Sequence, residues 1–337
     1  MTRWLQELGR GLGRGLGLMG WLGLSGCSLL LSPPLNQLPP CVGDDCDCGD
    51  FLDQPLAQRV LEAYWGDPYN LDSDGNGLAC ESLPAAPPKD PPNPSDSPHL
   101  VLGNPSNGNP DNPNNYLIER QQYALAYSRD RKLPHWVSWH LDASWLGDVE
   151  RQDDFRQDGS LPRGFYQVTS TDLSGSGYDR GHLIPAADRS RSAKDNSATF
   201  LMTNIIPQAP DNNRGIWREL ETYTRDLVYQ FDRDVYVIAG AYGEQEILGE
   251  AMITVPSRLW KVIVVLDRPD TGVNGVSDSS LVIAVDMPNQ DFLKPSWQDY
   301  QTSIDSIEVA TGYDLLSSLP ENVEAILEGQ ILPVAAD

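Results

Sequence analysis

Short apolar runs recur in the C-terminal part of the chain, between segments rich in glycine, proline and acidic residues. The runs HWVSWHL, VYVIAGAY, WKVIVVLD and SLVIAVDM are rich in β-branched and aromatic residues, and runs of this length and composition predict buried strands. The segment 216–230 differs, because Ile216, Leu220 and Leu227 recur at helical spacing. The pattern predicts an α+β domain over 116–337, with a largely antiparallel central sheet and helices on its faces.

Two stretches that precede this domain have a different composition. Residues 84–115 are dominated by proline, asparagine, serine and glycine, and such a segment predicts a linker that buries little, with its first half extended and semi-rigid. His99 lies in this linker and is therefore expected on the surface. Residues 41–83 carry apolar positions at helical spacing after Pro55, which suits the first turn of a helix. This stretch predicts a small, separately folded module.

The N-terminal segment has the features of an export signal. Arg3, Arg10 and Arg14 precede the apolar stretch GLGLMGWLGLSGC, which is too short and too rich in glycine for a membrane span of about 20 apolar residues. Small residues directly before Cys27 resemble a lipobox, in which cleavage leaves a lipidated cysteine at the new N-terminus; ordinary signal cleavage is the alternative. Residues 1–27 therefore predict an exported protein, either a lipoprotein anchored to a membrane of the cell envelope or an extracellular protein.

The cysteines indicate the same compartment. The chain has five, and all of them except Cys27 fall within the small module. A small module joined by disulfides, followed by a larger domain without cysteine, is typical of an oxidising compartment. Four cysteines allow three pairings, and the sequence does not choose between them. The four are Cys41, Cys46, Cys48 and Cys80.

One loop of the small module carries a candidate cation site. In DSDGNG, Asp72, Asp74 and Asn76 supply side-chain oxygens at alternate positions, and Glu81 follows Cys80. Alternating oxygen ligands before a glycine form the first half of an EF-hand calcium loop. The stretch resembles the excalibur module, a short extracellular calcium-binding region with the pattern D-x-D-x-D-G-x-x-C-E, although Asn76 supplies its oxygen without a charge. Weak calcium binding is one prediction, and an acidic Asx-rich turn without an ion is the other.

The net charge of the chain is −24, which by itself argues against a polyanionic partner. Salt screens such repulsion beyond about 8 Å at physiological ionic strength, so local charge matters more than total charge. Residues 151–225 contain as many lysines and arginines as aspartates and glutamates. The acidity therefore lies elsewhere, and this neutral stretch does not exclude a nucleic acid.

Residue types suited to phosphodiester hydrolysis are concentrated in that neutral stretch. His182 is one of only four histidines, and an imidazole can deprotonate water near neutral pH. Asn213 offers an amide oxygen to a cation such as Mg²⁺, which keeps most of its waters and accepts few protein ligands. Glu221, one turn into the predicted helix, can anchor the waters of such an ion. Arg151 matches phosphate oxygens in bidentate fashion.

These stretches resemble the DNA/RNA non-specific endonuclease family. The resemblance extends from about residue 99 to the C-terminus, and it depends on the DRGH motif at 179–182, on the flanking segments GSGYDRGH and TFLMTN, and on PQAPDNNR before the predicted helix. It implies a ββα-metal finger, also called a His-Me finger, as the frame of the active site. It also implies a metal-dependent endonuclease that cuts DNA and RNA without sequence preference and leaves 5′-phosphates.

The resemblance also implies a role for each of the candidate side chains. His182 falls on the family's general base, and Asn213 falls on its ligand to the one Mg²⁺ or Mn²⁺ ion of each active site. Glu221 falls on the residue that holds the waters of that ion, and Arg151 on a phosphate-binding arginine. Further phosphate-facing arginines are implied at Arg180 and Arg225.

Two other functions are compatible with parts of the sequence. A surface module for nucleic-acid binding or adhesion could have the same fold without activity, but an altered base or metal position would then be expected, and both are intact. A sequence-specific HNH-type nuclease would need a basic recognition arm, and the Pro/Asn-rich linker is not one. The predicted function is therefore a sugar-non-specific nuclease.

Several residues near the candidate site have two interpretations. Asn212 lies beside Asn213, and only the resemblance separates them. Asp179 is either a second acid or base, or a residue that orients the strand or an arginine. Arg189 and Arg191 fit a solvated surface as well as they fit substrate contacts. The tryptophans fall mostly at strand-like positions, which favours packing over base stacking.

Overall fold

A computed structural model describes the chain over the ranges 46–51, 54–63, 66–83, 97–266 and 272–331. These residues belong to two compact units, one within 1–90 and one within 91–337. The predicted lipobox segment with Cys27 lies outside the described residues, and so does the first part of the predicted linker. No helix in the described ranges is both long enough and apolar enough to cross a membrane.

The smaller unit contains the helix α1 (Gln54–Ala63), which confirms the helical spacing after Pro55. A disulfide bond joins Cys48 to Cys80 and so establishes one of the pairs that the sequence left open. Buried apolar residues, among them Val60 of the helix, pack beside this bond in a small core.

The DSDGNG loop of this unit is held together by its own side chains. The Asp72 carboxylate accepts hydrogen bonds from the backbone nitrogens of Asn76, at 3.0 Å, and Gly77, at 2.8 Å. Asp74 accepts from the side-chain amide of Asn76 at 3.0 Å. Among the described residues, Asp72, Asp74 and Glu81 do not bring three carboxylate oxygens within 4.8 Å of one another. The geometry is that of an Asx-rich turn, and calcium binding here stays a prediction that the structure does not support.

Strands form the framework of the larger unit. A seven-stranded antiparallel sheet forms its centre, and two short ribbons accompany it. In spatial order the sheet consists of β1 (Tyr116–Glu119), β2 (Ala124–Ser128), β3 (Leu133–Leu141), β6 (Val235–Tyr242), β9 (Arg258–Val265), β10 (Val282–Pro288) and β11 (Gln301–Thr302). The ribbons are β4 (Asp179–His182) with β5 (Ile205–Gln208), and β7 (Glu246–Leu248) with β8 (Ile253–Val255).

Helices cover both faces of the sheet, as predicted. Successive strand residues point to opposite faces, so Trp139 and Trp136 of β3 belong to two separate cores. Leu220 of α4 packs on the first core, and Ile307 of α5 and Leu327 of α6 pack on the second. The fold is α+β, in agreement with the sequence pattern. The helices of this unit are α2 (Ala193–Ala198), α3 (Pro210–Asn212), α4 (Arg218–Phe231), α5 (Ile304–Thr311) and α6 (Glu321–Glu328).

The second part of the predicted linker belongs to the larger unit. Residues 97–115 form successive turns, and Leu100 and Leu102 are buried in the core that α5 and α6 cover. His99 is only 1% exposed, and its Nε2 pairs with the carbonyl oxygen of Gln121 at 2.9 Å. The prediction of a surface histidine is therefore wrong. The apolar segment HLVL is buried, although it lies in a stretch whose proline and asparagine content is typical of an exposed linker.

Arg189 is a second residue whose surroundings differ from expectation. It is fully buried, its Nε donates to the carbonyl oxygen of Gln122 at 2.8 Å, and its guanidinium lies 4.1 Å from the centre of the Trp145 ring. The side chain is structural and neither solvated nor free for substrate. The packing prediction for tryptophan is confirmed for the fully buried Trp136, Trp139, Trp217 and Trp260.

Candidate active site

The DRGH motif forms β4, the first strand of a ββα arrangement. It pairs antiparallel with β5, with His182 opposite Ile205 and Gly181 opposite Ile206, and the chain then passes through α3 into α4. The glycine is required by a close approach, because a Cβ atom at Gly181 would lie 2.0 Å from Oε1 of Gln208. The ribbon and the helix together form the ββα finger that the motif predicts.

The start of α4 differs from the predicted helix. The sequence pattern begins it at Ile216, whereas the regular helix begins at Arg218. Residues 213–217 form a distorted turn, because Gly215 departs from helical geometry with φ −99° and ψ −113°. This distortion lies between Asn213 and the first regular turn of α4, and both contribute side chains to the same cleft.

A cleft of about 290 Å³ lies over this finger. All of the residues that the sequence singled out for the active site line it, together with two arginines that it did not. Arginine dominates the lining, and Glu221 is the one carboxylate among the lining residues. The cleft is therefore locally positive on a strongly acidic chain. Its charged and polar lining consists of Arg151, Arg180, His182, Asn213, Arg214, Arg218, Glu221 and Arg225.

His182 is held between two aromatic rings at the base of the cleft. The ring centres of Phe155 and Phe200 lie 5.3 Å and 4.9 Å from that of the imidazole. The Nε2 atom is buried and has no hydrogen-bond partner among the described residues. The pKa of His182 is lowered to about 3, mainly by burial and also by the positive charge of Arg151, while a hydrogen bond with the backbone of Arg180 acts in the opposite direction. The imidazole is neutral at pH 7 and can accept a proton.

The two adjacent asparagines have separate environments. Asn212 is fully buried; its Oδ1 accepts from Gln208 at 2.9 Å, and its Nδ2 donates to the carbonyl oxygen of Pro288 at 2.8 Å. Asn213 lines the cleft, and its Nδ2 donates to Asp179 at 2.9 Å. The amide oxygen of Asn213 is thus left for another partner. The ambiguity between the two residues is resolved by burial, which the sequence alone does not reveal.

Asp179 orients two cleft residues at once. Its carboxylate accepts from Nδ2 of Asn213 and from Nε of Arg214, the latter at 2.7 Å. Burial would raise the pKa of Asp179, but the hydrogen bonds from Arg214 and Asn213 outweigh it and hold the pKa below its usual value. The residue is therefore ionised near neutral pH, which favours the orienting interpretation over that of a second acid.

The donor set of the cleft fits a hard divalent cation. Asn213 offers a neutral oxygen, and Glu221 is the single carboxylate that lines the same space. No group of three His, Cys, Asp or Glu ligands occurs among the described residues of the cleft, so a cation that requires a full protein cage has no support there. Mg²⁺ keeps several waters and takes few protein ligands, and Mn²⁺ prefers the same oxygen donors.

Glu221 is supported from below by a buried lysine. Lys261 of β9 is 1% exposed, and its Nζ lies 3.7 Å from Oε1 of Glu221. The same ammonium lies 4.1 Å from the centre of the Trp217 ring, close enough for a cation–π interaction. Burial raises the pKa of Glu221, and the positive charges of Lys261 and Arg225 act in the opposite direction. Burial lowers the pKa of Lys261, and the negative charge of Glu221 acts in the opposite direction. Sequence reasoning missed Lys261, although a lysine in the middle of the apolar stretch WKVIVVL was a signal for it.

The arginines of the cleft are anchored in different ways. Arg225 donates to the buried carboxylate of Asp188 at 2.9 Å, so its position on α4 is fixed. Arg151 is half exposed, pairs with Asp153 at 2.7 Å and lies 4.7 Å from the centre of the Phe200 ring. Arg180 stacks over Phe155 at 4.5 Å. The guanidinium groups that stack on rings keep their hydrogen-bond donors available for phosphate.

The chain matches a family model described as DNA/RNA non-specific endonuclease over residues 102–322. It is 47% identical over 240 residues to a nuclease of Nostoc sp., a match that covers 71% of this chain and 87% of that protein. The chain belongs to the DNA/RNA non-specific endonuclease family. It is therefore a hydrolase of the metal-dependent nuclease class.

More distant relatives agree with this membership. The human mitochondrial nuclease EXOG is 32% identical over 205 residues, which cover 56% of this chain and 54% of EXOG. Among solved structures, the crystal structure of an EndoG/EndoGI complex, described as showing the mechanism of EndoG inhibition, matches with a TM-score of 0.56 and 26% identity. That match covers 69% of this chain and 95% of the other. The larger unit therefore has the fold of this DNA/RNA non-specific endonuclease family.

Proposed function

We propose that this protein is an endonuclease that hydrolyses the phosphodiester bonds of both DNA and RNA, with His182 as general base, and leaves 5′-phosphates. The proposal rests above all on the unpaired, buried Nε2 of His182, which shares one cleft with Asn213 and with a set of arginines. A base, a cation ligand and phosphate-binding donors are the groups that this reaction needs.

The substrate phosphate is bound by the arginines of the cleft. Arg225 is held by Asp188, whereas Arg151 and Arg180 lie over aromatic rings with exposed guanidinium groups. Phosphate contacts carry no sequence information, so these residues support cleavage without sequence preference. The cleft lining offers charge to the phosphate and makes no evident demand on a 2′-hydroxyl, the group by which proteins distinguish RNA from DNA.

The chemical step starts at His182. Its neutral Nε2 takes a proton from a water molecule as the oxygen of that water attacks phosphorus, and the bond from phosphorus to the 3′-oxygen breaks. The new P–O bond leaves the phosphate on the 5′-oxygen, and the 3′-oxygen takes up a proton from solvent. A single Mg²⁺ or Mn²⁺ ion bound through Asn213, with Glu221 beside its waters, would supply positive charge at the phosphate.

Degradation of supercoiled plasmid and of total RNA by the full-length exported protein tests the function. Activity on both substrates in Mg²⁺, its loss in EDTA and its return on addition of excess Mg²⁺ are expected. The control is His182→Ala, purified in parallel. A wild-type protein that binds DNA but cleaves neither substrate in Mg²⁺ or Mn²⁺ would instead be a binding module with a silent nuclease fold.

The exported location is a separate proposal that rests on the N-terminal sequence. Cys27 follows an apolar signal, and the Cys48–Cys80 disulfide of the smaller unit suits an oxidising compartment. The full-length product should partition into the detergent phase, and Cys27→Ser should move it into the aqueous phase. A wild-type product that is fully aqueous and cleaved elsewhere would exclude the lipid anchor but leave the nuclease function intact.

A further inference from the structure

A cluster of carboxylates lies where α5 and α6 meet, on the opposite face of the sheet from α4. Asp305, Glu308 and Glu328 bring carboxylate oxygens within 4.8 Å of one another, and so do Asp314, Glu324 and Glu328. Glu328 belongs to both groups and is therefore central to them. We call these five residues the C-terminal carboxylate cluster.

Glu328 differs from the other members because it is buried. The residue is 8% exposed, and its Oε1 has no hydrogen-bond partner among the described residues. Exposed carboxylates are solvated and need no counter-ion, but a buried carboxylate oxygen without a partner costs free energy that water or a cation must offset. An unpaired buried oxygen that faces four other carboxylates is suited to a hard cation.

The charges around Glu328 are uniformly negative. Burial raises its pKa to about 8, and Glu308, Glu324, Asp305 and Asp314 all act in the same direction. Burial is likewise the main cause of the raised pKa values of Glu308 and Glu324, and no lysine or arginine opposes it at either residue. Without a cation, Glu328 is therefore mostly protonated at neutral pH, and a bound cation would have to displace that proton.

We propose that the C-terminal carboxylate cluster binds one Ca²⁺ ion, with Glu328 as its central ligand. All of the donors are carboxylate oxygens, which excludes the softer metals that prefer imidazole or thiolate. Calcium accepts about six to eight oxygens in flexible geometry, whereas Mg²⁺ demands a near-ideal octahedron and gives up its waters reluctantly. Side chains from two helices and the loop between them suit the more tolerant ion. The site is independent of the nuclease function proposed above.

The test compares the full-length protein with Glu328→Gln, which preserves the shape of the side chain and removes its charge. In EGTA at about pH 9, where the carboxylate of Glu328 is mostly ionised, Glu328→Gln is expected to have a higher Tm than the wild type, because it removes repulsion inside the cluster. Calcium should then raise the Tm of the wild type and leave that of Glu328→Gln unchanged. Excess Mg²⁺ should neither reproduce nor suppress the shift. In equilibrium dialysis with ⁴⁵Ca²⁺, the variant should lose at least about tenfold in affinity, since ligand charge tunes calcium binding.

Two controls separate this site from the rest of the chain. Glu250→Gln changes an exposed glutamate outside the cluster and should keep the full calcium response. All proteins are also prepared with Asp72→Asn and Asp74→Asn, so that the acidic loop of the smaller unit cannot supply the response. If Glu328→Gln does not fold, Asp305→Asn and Asp314→Asn replace it. An equal calcium response in wild type and cluster variants, or its loss with the loop substitutions alone, would overturn the proposal.

Discussion

The two glutamates Glu221 and Glu328 lie on opposite faces of the same sheet, Glu221 partly buried and Glu328 buried, and they differ in what surrounds them. Burial raises the pKa of both. Glu221 has the ammonium of Lys261 at 3.7 Å and Arg225 nearby, whereas the groups around Glu328 are four further carboxylates. A buried charge without compensation is costly. Lys261 and Arg225 supply the counter-charge at Glu221, whereas no described lysine or arginine acts on Glu328.

Because of this difference, Glu221 is in place before a cation binds, whereas the proposed calcium site is complete only with its ion. Lys261 is rigidly placed, since it lies on a central strand and over the Trp217 ring. Glu221 is therefore ready in the cleft whether or not a cation is bound. The C-terminal carboxylate cluster reaches its lowest free energy only when an ion or a proton joins it. We therefore expect substitutions in the first region to change catalysis, and substitutions in the second to change how stability responds to calcium.

The largest effect is expected from His182→Ala. Loss of a general base costs about 10²-fold to 10⁴-fold in rate, while affinity for a short duplex should hardly change, because binding rests on arginine and the cation. Single-turnover cleavage in saturating Mg²⁺ measures the rate, and a binding assay in EDTA measures the part of the affinity that depends on arginine. Glu328→Gln is the matched comparison from the other face and should keep the wild-type rate. A rate for His182→Ala close to that of wild type would remove this residue from the mechanism.

Lys261→Met tests whether the ammonium of Lys261 stabilises the charged form of Glu221. Breaking a buried ion pair by removing one partner costs about 3–5 kcal/mol, so the free energy of unfolding in urea should fall and Glu221 should be partly protonated. Activity should fall with it.

The double variant Lys261→Met, Glu221→Gln separates the two consequences. Removal of the orphaned carboxylate should restore much of the lost stability, since neutral partners of similar shape tolerate burial. It should not restore the rate, because Glu221 is then absent from the cleft. If the double variant is no more stable than the single one, Lys261 does not act through Glu221.

Asn213→Ala tests whether a neutral amide oxygen binds the cation of the cleft, in contrast to the carboxylates of the C-terminal cluster. Loss of its amide oxygen should raise the Mg²⁺ concentration for half-maximal activity by at least about tenfold. Asn212→Ala is the matched control, because Asn212 is buried and bonded to Gln208 and Pro288. It should lower the free energy of unfolding by about 1–3 kcal/mol without moving the Mg²⁺ requirement. Equal shifts in Mg²⁺ requirement for the two variants would contradict the assignment.

The sequence predicts the strands and the main helix from local patterns, whereas the residues of the cleft are predicted from the family resemblance. Apolar runs identify β3, β6, β9 and β10, and the DRGH motif identifies β4. Features that depend on how distant segments pack together are not predicted from the sequence. The partnership of Lys261 with Glu221 depends on how β9 lies beneath α4. The burial of His99 depends on a turn that folds back onto the sheet, and the C-terminal carboxylate cluster depends on how α5 meets α6.

The smallest effect is expected from His99→Gln, on the pH dependence of stability. His99 and His182 differ from the two glutamates because they are buried in the neutral form. Burial lowers the pKa of both His99 and His182 to about 3. Between that value and the unfolded value of about 6.5, the unfolded chain binds a proton at each position that the folded chain does not, so stability falls as the pH falls. From pH 6.5 to 5.5 the loss is about 1 kcal/mol for each histidine. His99→Gln retains a donor for Gln121 and should flatten this slope in urea unfolding measured across that range. An unchanged slope would mean that His99 has the same pKa in the folded and the unfolded protein.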